Sequence, residues 1–195
     1  MLGAGYLGRM LTLFHDFTSP ASAVAVARLQ RLADEGTPVD FVGMEAIGVD
    51  AMLPVTLDVI ADVERLAAEA EDLGLLLRRP TALPPTAAAH AVASAAVTSA
   101  QEAAWRWTCY DAFWCEDANL ADHEVLRALG ARARLDAARV HAALDDRSLL
   151  TEIRRRTGER RRDGVGGVPT ILAQRTLIPG LLPESQLREL AALEG

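Results

Sequence analysis

Two hydroxyl side chains follow the first apolar segment of the chain, where a strand is expected to meet a helix. Residues 11–17 (LTLFHDF) have the composition of a buried strand, and Ser19, Pro20 and Ser22 come directly after them. Serine is a favourable N-cap residue and proline a favourable first helical residue, so a helix is predicted to begin here. Because a helix N-terminus favours negative charge, the Ser19 hydroxyl is a candidate for holding an anion. Alternatively, Ser19 only caps the helix and Ser22 belongs to the cap.

The elements around this junction predict an α/β protein. A helix over residues 20–35, ending at Gly36, and a strand over 39–44 complete a strand–helix–strand unit, which implies a parallel pair with a right-handed crossover. Between residues 54 and 156 the sequence predicts helices only. Their expected bounds are 57–73, 87–114, 121–129, about 135–144 and about 146–157.

The last segment predicts a hairpin and a final helix. Strands are expected at 170–172 and 176–178, closed by Pro179 and Gly180, before a helix that carries Leu187. The order is therefore β-α-β, a helical segment, then β-β-α. We expect one sheet domain formed by residues 10–52 and 158–195, a helical insert formed by 53–157, and a flexible leader at 1–9.

Composition excludes several classes of function. The chain has 195 residues, 50% of them hydrophobic, and a formal net charge of −7, which argues against broad binding to nucleic acid or to an anionic membrane. We see no apolar run long enough to span a membrane and no signal peptide, so the cytoplasm is the expected location. The histidines are scattered, and no metal site is predicted.

Three stretches, in order along the chain, resemble motifs of the DsbA family of thioredoxin-like proteins. Residues 16–22 (DFTSPAS) are similar to D-F-x-S-P-x-S, 85–90 (PTAAAH) to N-T-x-x-A-H, and 164–170 (GVGGVPT) to the G-V-x-G-V-P-T strand with its cis-proline. The branch they resemble holds FrnE-like proteins, 2-hydroxychromene-2-carboxylate isomerases and kappa-class glutathione transferases. The resemblance implies a thioredoxin-like fold with an inserted all-helical domain.

The same resemblance assigns expected roles. Redox members carry C-x-x-C where this chain has Ser19 and Ser22, and a hydroxyl cannot cycle between thiol and disulfide. In the isomerase branch the serine matching Ser19 binds the sulfur of glutathione as a thiolate and is the catalytic residue. The resemblance further implies a cis bond between Val168 and Pro169, with the Val168 backbone pairing with the cofactor, and a cofactor-binding role for Ser22.

The sequence also departs from the family pattern. Residues 180–185 lack the S-D-x cluster that holds the glutamyl end of glutathione. In the family's full N-T-x-x-A-H-R motif, the Asn is replaced by Pro85 and the final Arg by Ala91. The cofactor is therefore expected to be glutathione or another low-molecular-weight thiol such as mycothiol. Three hypotheses stay open: a thiol-dependent isomerase or transferase acting on a small hydrophobic substrate, a redox-inactive binding protein for a metabolite or peptide, and, against the serine pair, a disulfide oxidoreductase.

Other residues have both structural and functional interpretations. Trp107, Tyr110 and Trp114 share one face of a predicted helix and belong either to the core or to a substrate pocket, and His15 is the histidine to consider as acid or base. Cys109 and Cys115 are roughly 9 Å apart on that helix, which indicates free cysteines rather than a disulfide, although a reactive thiol is the alternative.

The remaining expectations concern partners. Six arginines between residues 154 and 162 form either a solvated helix face or a site for an anionic ligand. A homodimer is compatible with the sequence.

Overall fold

The computed structural model describes residues 10–194, with four strands and eight helices in that range. The strands are β1 (Leu11–His15), β2 (Val39–Gly43), β3 (Thr170–Ala173) and β4 (Thr176–Pro179). The helices are α1 (Pro20–Asp34), α2 (Leu57–Asp72), α3 (Ala87–Val92), α4 (Ser99–Glu116), α5 (His123–Arg132), α6 (Ala137–Asp145), α7 (Arg147–Arg162) and α8 (Glu184–Glu194). The predicted leader, residues 1–9, lies outside the described residues.

The four strands form one mixed sheet in the order β2-β1-β3-β4. β1 pairs in parallel with β2 and antiparallel with β3, and β3 and β4 form the predicted hairpin. All five residues of β1 are buried, as expected for a central strand covered on both faces. The α/β class and the thioredoxin-like order of the elements agree with the prediction.

Alternate residues of β1 enter two different clusters, because side chains alternate across a strand. Leu11 and Leu13 join the main core together with α1 and helices of the central segment. Phe14 joins Met44, Val165 and other residues in a smaller cluster. Helices α2–α7 all lie between β2 and β3 in the chain, in agreement with the predicted all-helical segment. The exact division into two domains stays a prediction.

The predicted helix over residues 87–114 is wrong, because the structure has two helices here. α3 ends in a short 3-10 turn at Ala93–Ala95, and α4 begins after Thr98, whose hydroxyl oxygen accepts a hydrogen bond from the Gln101 amide at 3.2 Å. High alanine content favours helix throughout, but Thr98 offers a side-chain cap that starts a new one. The break lets α4 pack back on α3, where Trp105 Nε1 donates to the Ala89 carbonyl at 3.0 Å.

Two further helix ends differ from prediction. α5 continues past Gly130, because this glycine serves close packing: a Cβ there would lie 2.9 Å from Val140 Cγ2. α7 continues to Arg162, five residues beyond its predicted end, and Gly164 follows with φ +104°. By contrast, α1 and α2 end close to Gly36 and Gly74, which both have positive φ as C-terminal glycines commonly do.

We predict that Gly43→Ala destabilises the protein, because β2 passes directly against a buried histidine ring. An alanine Cβ at residue 43 would lie 2.2 Å from His90 Nδ1. We expect a loss of about 1–3 kcal/mol, measured by urea unfolding. Gly158→Ala is the matched control, since nothing lies within 4 Å of its Cβ and alanine favours the α7 helix. Equal stability of Gly43→Ala and wild type would contradict the predicted clash.

Candidate functional site

Ser19 is the N-cap of α1, as predicted. Its backbone is extended, and its Oγ accepts a hydrogen bond from the Ser22 amide at 3.1 Å. Because Oγ accepts in this contact, the hydroxyl proton is left to donate, and no acceptor for it lies among residues 10–194. Ser19 is only partly buried. The hydroxyl therefore offers a donor, beside helix-start amides, to a group arriving from solvent.

Ser22 lies one helical turn further in and is completely buried. Its Oγ is 3.5 Å from the Asp16 amide, and its hydroxyl neighbours the Tyr110 phenol. A ligand approaching the start of α1 meets Ser19 first. The position of Ser22 is that of a residue supporting the junction from the inside.

The Val168–Pro169 peptide bond is cis and comes directly before β3. Since the β1–β3 register pairs Phe14 with Thr170, Val168 lies two residues beyond the last pair, at the end of β1 that leads into the junction. The Pro169 carbonyl accepts from the Gly180 amide at 2.8 Å, whereas the backbone N–H and C=O of Val168 have no hydrogen bond within the described part of the chain. Val168 thus presents both groups that an extended peptide-like ligand would pair with.

A buried carboxylate, Asp16, ties this junction to its surroundings. Its Oδ1 accepts from the Phe17 amide at 2.8 Å and lies 3.1 Å from His90 Nε2 on α3. Its Oδ2 accepts from the Thr18 hydroxyl at 3.2 Å and from the Ala46 amide at 2.7 Å. Burial by itself would raise the pKa of Asp16. The hydrogen bond and the charge of His90 are the largest of the opposing effects, and together these effects lower the pKa below its usual value. Asp16 is the structural acceptor that its place at a strand end suggests.

His15 is buried and held in its neutral form. Its Nδ1 lies 3.0 Å from the Tyr110 hydroxyl oxygen, and that hydroxyl donates to the Asp16 carbonyl at 3.1 Å. Since a hydroxyl has one proton, the shared proton of the first contact belongs to His15 Nδ1. Burial foremost, and then the charges of His90 and Arg106, lower the pKa of His15 well below its usual value. His15 is therefore a hydrogen-bond donor to Tyr110.

For the aromatic residues of α4, the structure supports the core and not the pocket interpretation. Tyr110 and Trp114 are fully buried members of the main core, and Trp107 packs against that core while staying partly exposed. None of these three lines either of the two principal cavities found among the described residues. Trp105, on the same helix, does line one of them.

Glu45 is a candidate site residue that the sequence pattern did not single out. It follows β2 and lines a narrow cleft together with Thr18, Pro84 and Pro85. The residue is 1% exposed, and neither carboxylate oxygen has a hydrogen bond of normal geometry in the described chain. Burial raises the pKa of Glu45, and the Arg154 guanidinium, 3.5 Å from Oε2, opposes this. Nothing in the local sequence marks its burial, because glutamate is mostly exposed in folded proteins.

The arginine cluster of α7 is solvated only in part. Arg160 donates to the Gly43 carbonyl at 2.6 Å, and Arg161 donates to the Ala46 carbonyl at 2.6 Å. Arg155 and Arg156 instead pair with Glu152 on their own exposed helix face. One part of the cluster therefore holds the segment that follows β2, which sequence reasoning did not foresee.

Both cysteines are free. Cys109 is buried, and burial raises the pKa of its thiol well above the ordinary value. Cys115 is partly exposed, and its Sγ lies 3.2 Å from the Leu76 carbonyl oxygen. Both cysteines belong to α4, so neither of them provides a thiol at the position of Ser19.

Two absences hold for residues 10–194. No group of three or more His, Cys, Asp or Glu side chains is arranged to hold a metal ion. No helix in this part of the chain is long and apolar enough to cross a membrane.

Comparison with known proteins gives a family and a fold. The DSBA-like thioredoxin domain matches residues 10–192, and no curated protein matches the sequence. Among solved structures, a probable DsbA oxidoreductase from Streptomyces coelicolor has a TM-score of 0.81 at 21% identity, covering 95% of this chain and 89% of that one. A 2-hydroxychromene-2-carboxylate isomerase has a TM-score of 0.72 at 19% identity, covering 94% and 93%.

A third similar structure is the cytosolic disulfide reductase DsbM from Pseudomonas aeruginosa, solved with GSH. Its TM-score is 0.65 at 20% identity, and the match covers 94% of this chain and 96% of that one. At these identities the likeness shows the fold.

We predict that His15 makes stability depend on pH between about 7.5 and 5.5. The unfolded chain protonates this histidine below about pH 6.5, while the folded protein keeps it neutral because its pKa is lowered. The unfolded state then binds more protons than the folded state. The free energy of unfolding therefore decreases as the pH is lowered, by at most about 1.4 kcal/mol per pH unit.

The test compares urea unfolding across this range for wild type, His15→Gln and His141→Gln. His15→Gln is expected to flatten the dependence, whereas His141→Gln, which changes an exposed histidine, leaves it as in wild type. The same slope in His15→Gln and wild type would show that His15 is not held neutral.

Proposed function

Because the chain belongs to the family of DSBA-like thioredoxin domains, we propose that it binds a low-molecular-weight thiol at the start of α1. It uses this thiol in an isomerisation or transfer reaction on a small hydrophobic molecule. The observation that carries the proposal is the Ser19 hydroxyl, which caps α1 through its oxygen and keeps its proton for an incoming group.

The residues at the junction fit a thiol ligand with a peptide backbone. The Ser19 hydroxyl and the helix-start amides favour a thiolate over a thiol, because hydrogen bonds to the charged form lower a pKa. The Val168 N–H and C=O are available for pairing with the backbone of such a ligand. A bound thiolate supplies a nucleophile. Glutathione and mycothiol are the candidates, and the GSH in the structure of the Pseudomonas reductase supports testing glutathione first.

Glu45 is the proposed proton-exchanging group, in a cleft next to the strand-to-helix junction. Its cleft also contains Asp16 and Thr18, which lie shortly before Ser19 in the chain. A carboxyl group whose pKa is raised by burial exchanges protons closer to neutrality than an exposed one. In an isomerisation, such a group can take a proton from one atom of the substrate and return it to another.

Disulfide exchange is the weaker alternative for this site. Thiol–disulfide chemistry needs sulfur at the attacking position, and the two cysteines of the chain lie on α4 at residues 109 and 115. Burial raises the pKa of both thiols, which lowers their reactivity. The oxidoreductase names of some similar structures are therefore not carried over to this chain.

Thiol binding is testable by calorimetry. We expect micromolar binding of reduced glutathione or mycothiol to wild type, and binding weaker by about tenfold or more in Ser19→Ala, which loses a hydrogen bond to a charged group. Ser19→Asp keeps a cap acceptor but puts a negative charge where the thiolate would lie, so binding should be lost. Thr98→Ala is the control, because it removes the cap of α4 without touching the site.

Two results would contradict the proposal: no binding of either thiol to wild type, or equal binding to wild type and Ser19→Ala. The first would leave the redox-inactive binding protein as the function to pursue. A loss of binding in Thr98→Ala as large as in Ser19→Ala would assign the effect to stability.

The start of α1 can also be tested without a ligand. We predict that the thiol of Ser19→Cys, made in a Cys115→Ala background, has a pKa below the ordinary value of about 8.5, because helix N-termini stabilise thiolates. Thiolate absorbance near 240 nm against pH measures it. Wild-type Cys115 is the reference, since partial burial raises the pKa of its thiol. A pKa at or above 8.5 in Ser19→Cys would show that this helix start does not favour an anion.

A further inference from the structure

A second, larger cavity lies along the outer edge of β2. Its volume is about 270 Å³, near the lower end of ordinary ligand pockets, and its walls come from β2, α3, α4 and α7. Aromatic and cationic side chains dominate the lining, among them Phe17, Phe41, Trp105, Arg106, Arg156 and Arg160. Ser19, Val168 and Pro169 do not line it, so this cavity is separate from the proposed thiol site.

Arg106 is the unusual member of this lining. The residue is 8% exposed, and its guanidinium lies 3.7 Å above the centre of the Phe41 ring. One nitrogen, Nη2, donates to the Gln30 side-chain oxygen at 2.8 Å. No carboxylate of residues 10–194 forms an ion pair with Arg106 within 4 Å, so most of its five N–H donors are left for another acceptor.

A buried guanidinium without an ion-paired carboxylate is costly, because the charges of Glu102 and Asp40, which lie beyond ion-pair distance, offset its desolvation only in part. Burial lowers the pKa of Arg106 to about 10, which still leaves it charged at neutral pH. An apolar side chain of similar length would fill the same space without this cost. The retained charge is explained if the cavity receives an anion.

The other charged side chains of the lining have partners of their own or offset one another. Arg156 pairs with Glu152 and Arg160 donates to the Gly43 carbonyl, while Asp40 and Glu102 contribute two negative charges. Glu102 is exposed; burial raises the pKa of Asp40, and the charges of Arg160 and Arg106 oppose this. His15 also lines the cavity and is neutral. The Arg106 guanidinium, which has donors left over, is therefore the group with which an anion in this cavity would pair.

We propose that this cavity binds a small carboxylate with an apolar body. The carboxylate pairs with the Arg106 guanidinium, whose planar fork matches its geometry, and the body lies against Phe17 and Trp105. Ile153 and Ala93 complete the apolar wall. The charge of Arg106 selects an anion over a neutral molecule of the same shape.

Calorimetry with three probes tests the proposal on the full chain. Benzoate carries both the carboxylate and an apolar body, benzamide lacks the charge, and acetate lacks the body. We expect benzoate to bind with at least about tenfold higher affinity than either of the others. Benzoate binding that equals benzamide binding, or no benzoate binding at millimolar concentration, would overturn the proposal.

Variants locate the binding. Arg106→Met is expected to weaken benzoate binding about tenfold or more, while Arg139→Met, which removes an exposed charge of the same sign, leaves it unchanged. Without benzoate, the urea midpoint of Arg106→Met should equal or exceed that of wild type, because an uncompensated buried charge is removed. A much lower midpoint would show that Arg106 serves the fold, and unchanged binding would show that it does not hold the anion.

Two more variants distinguish binding in this cavity from binding at the start of α1. Ala93→Leu narrows the cavity while keeping Arg106, so it should reduce benzoate binding even if Arg106→Met folds poorly. Ser19→Asp should bind benzoate like wild type, because Ser19 does not line this cavity. Loss of benzoate binding in Ser19→Asp, or full binding in Ala93→Leu, would place the anion elsewhere and overturn the proposal.

Discussion

The architecture of the candidate site depends on the buried carboxylate of Asp16. Its two oxygens contact groups from the strand-to-helix junction, the segment after β2, and α3 of the helical region. A carboxylate buried to this degree is stable only when it is paired and hydrogen-bonded, so its partners must stay in place. Because Ser19 lies three residues further along the same turn, its position follows from these contacts.

A second set of contacts supports the junction from the α4 side. The Tyr110 hydroxyl donates to the Asp16 carbonyl and accepts from His15, so one phenol fixes both the end of β1 and the histidine tautomer. His90 stacks on Phe17 with ring centroids 4.6 Å apart while it contacts the Asp16 carboxylate. The helical region thus forms part of the polar framework around the junction as well as covering it.

The sequence was sufficient for the features that depend on local chemistry. Ser19 and Pro20 predicted the start of α1, apolar segments and turn residues predicted the strands, and the glycines after α1 and α2 predicted their ends. It failed where tertiary packing decides. The continuation through Gly130 depends on how closely Val140 packs there, and the Thr98 cap is used because a break at this point lets α4 pack back on α3.

The candidate residues divide in the same way. Ser19 and Val168 were found because they belong to short motifs, whereas Glu45 and Arg106 were missed because a single charged residue in an apolar context carries no signal of its burial. Their partners come from distant parts of the chain: Glu45 faces Arg154, and Arg106 contacts Gln30 and Phe41. Only the fold brings these groups together.

The contrast between Asp16 and these two residues indicates where the fold serves function. Asp16 has partners for both oxygens, as a group retained for stability should have. Glu45 and Arg106 are enclosed but incompletely paired, and each lines a cavity. Buried groups without full pairing in an otherwise well-paired fold are expected at functional sites, where a ligand completes the pairing. Asp16 lines the cleft of Glu45, and its partner His90 lines the cavity of Arg106. The two incompletely paired groups therefore support a proposed site beside the junction and a proposed anion site at the edge of β2, on one shared framework.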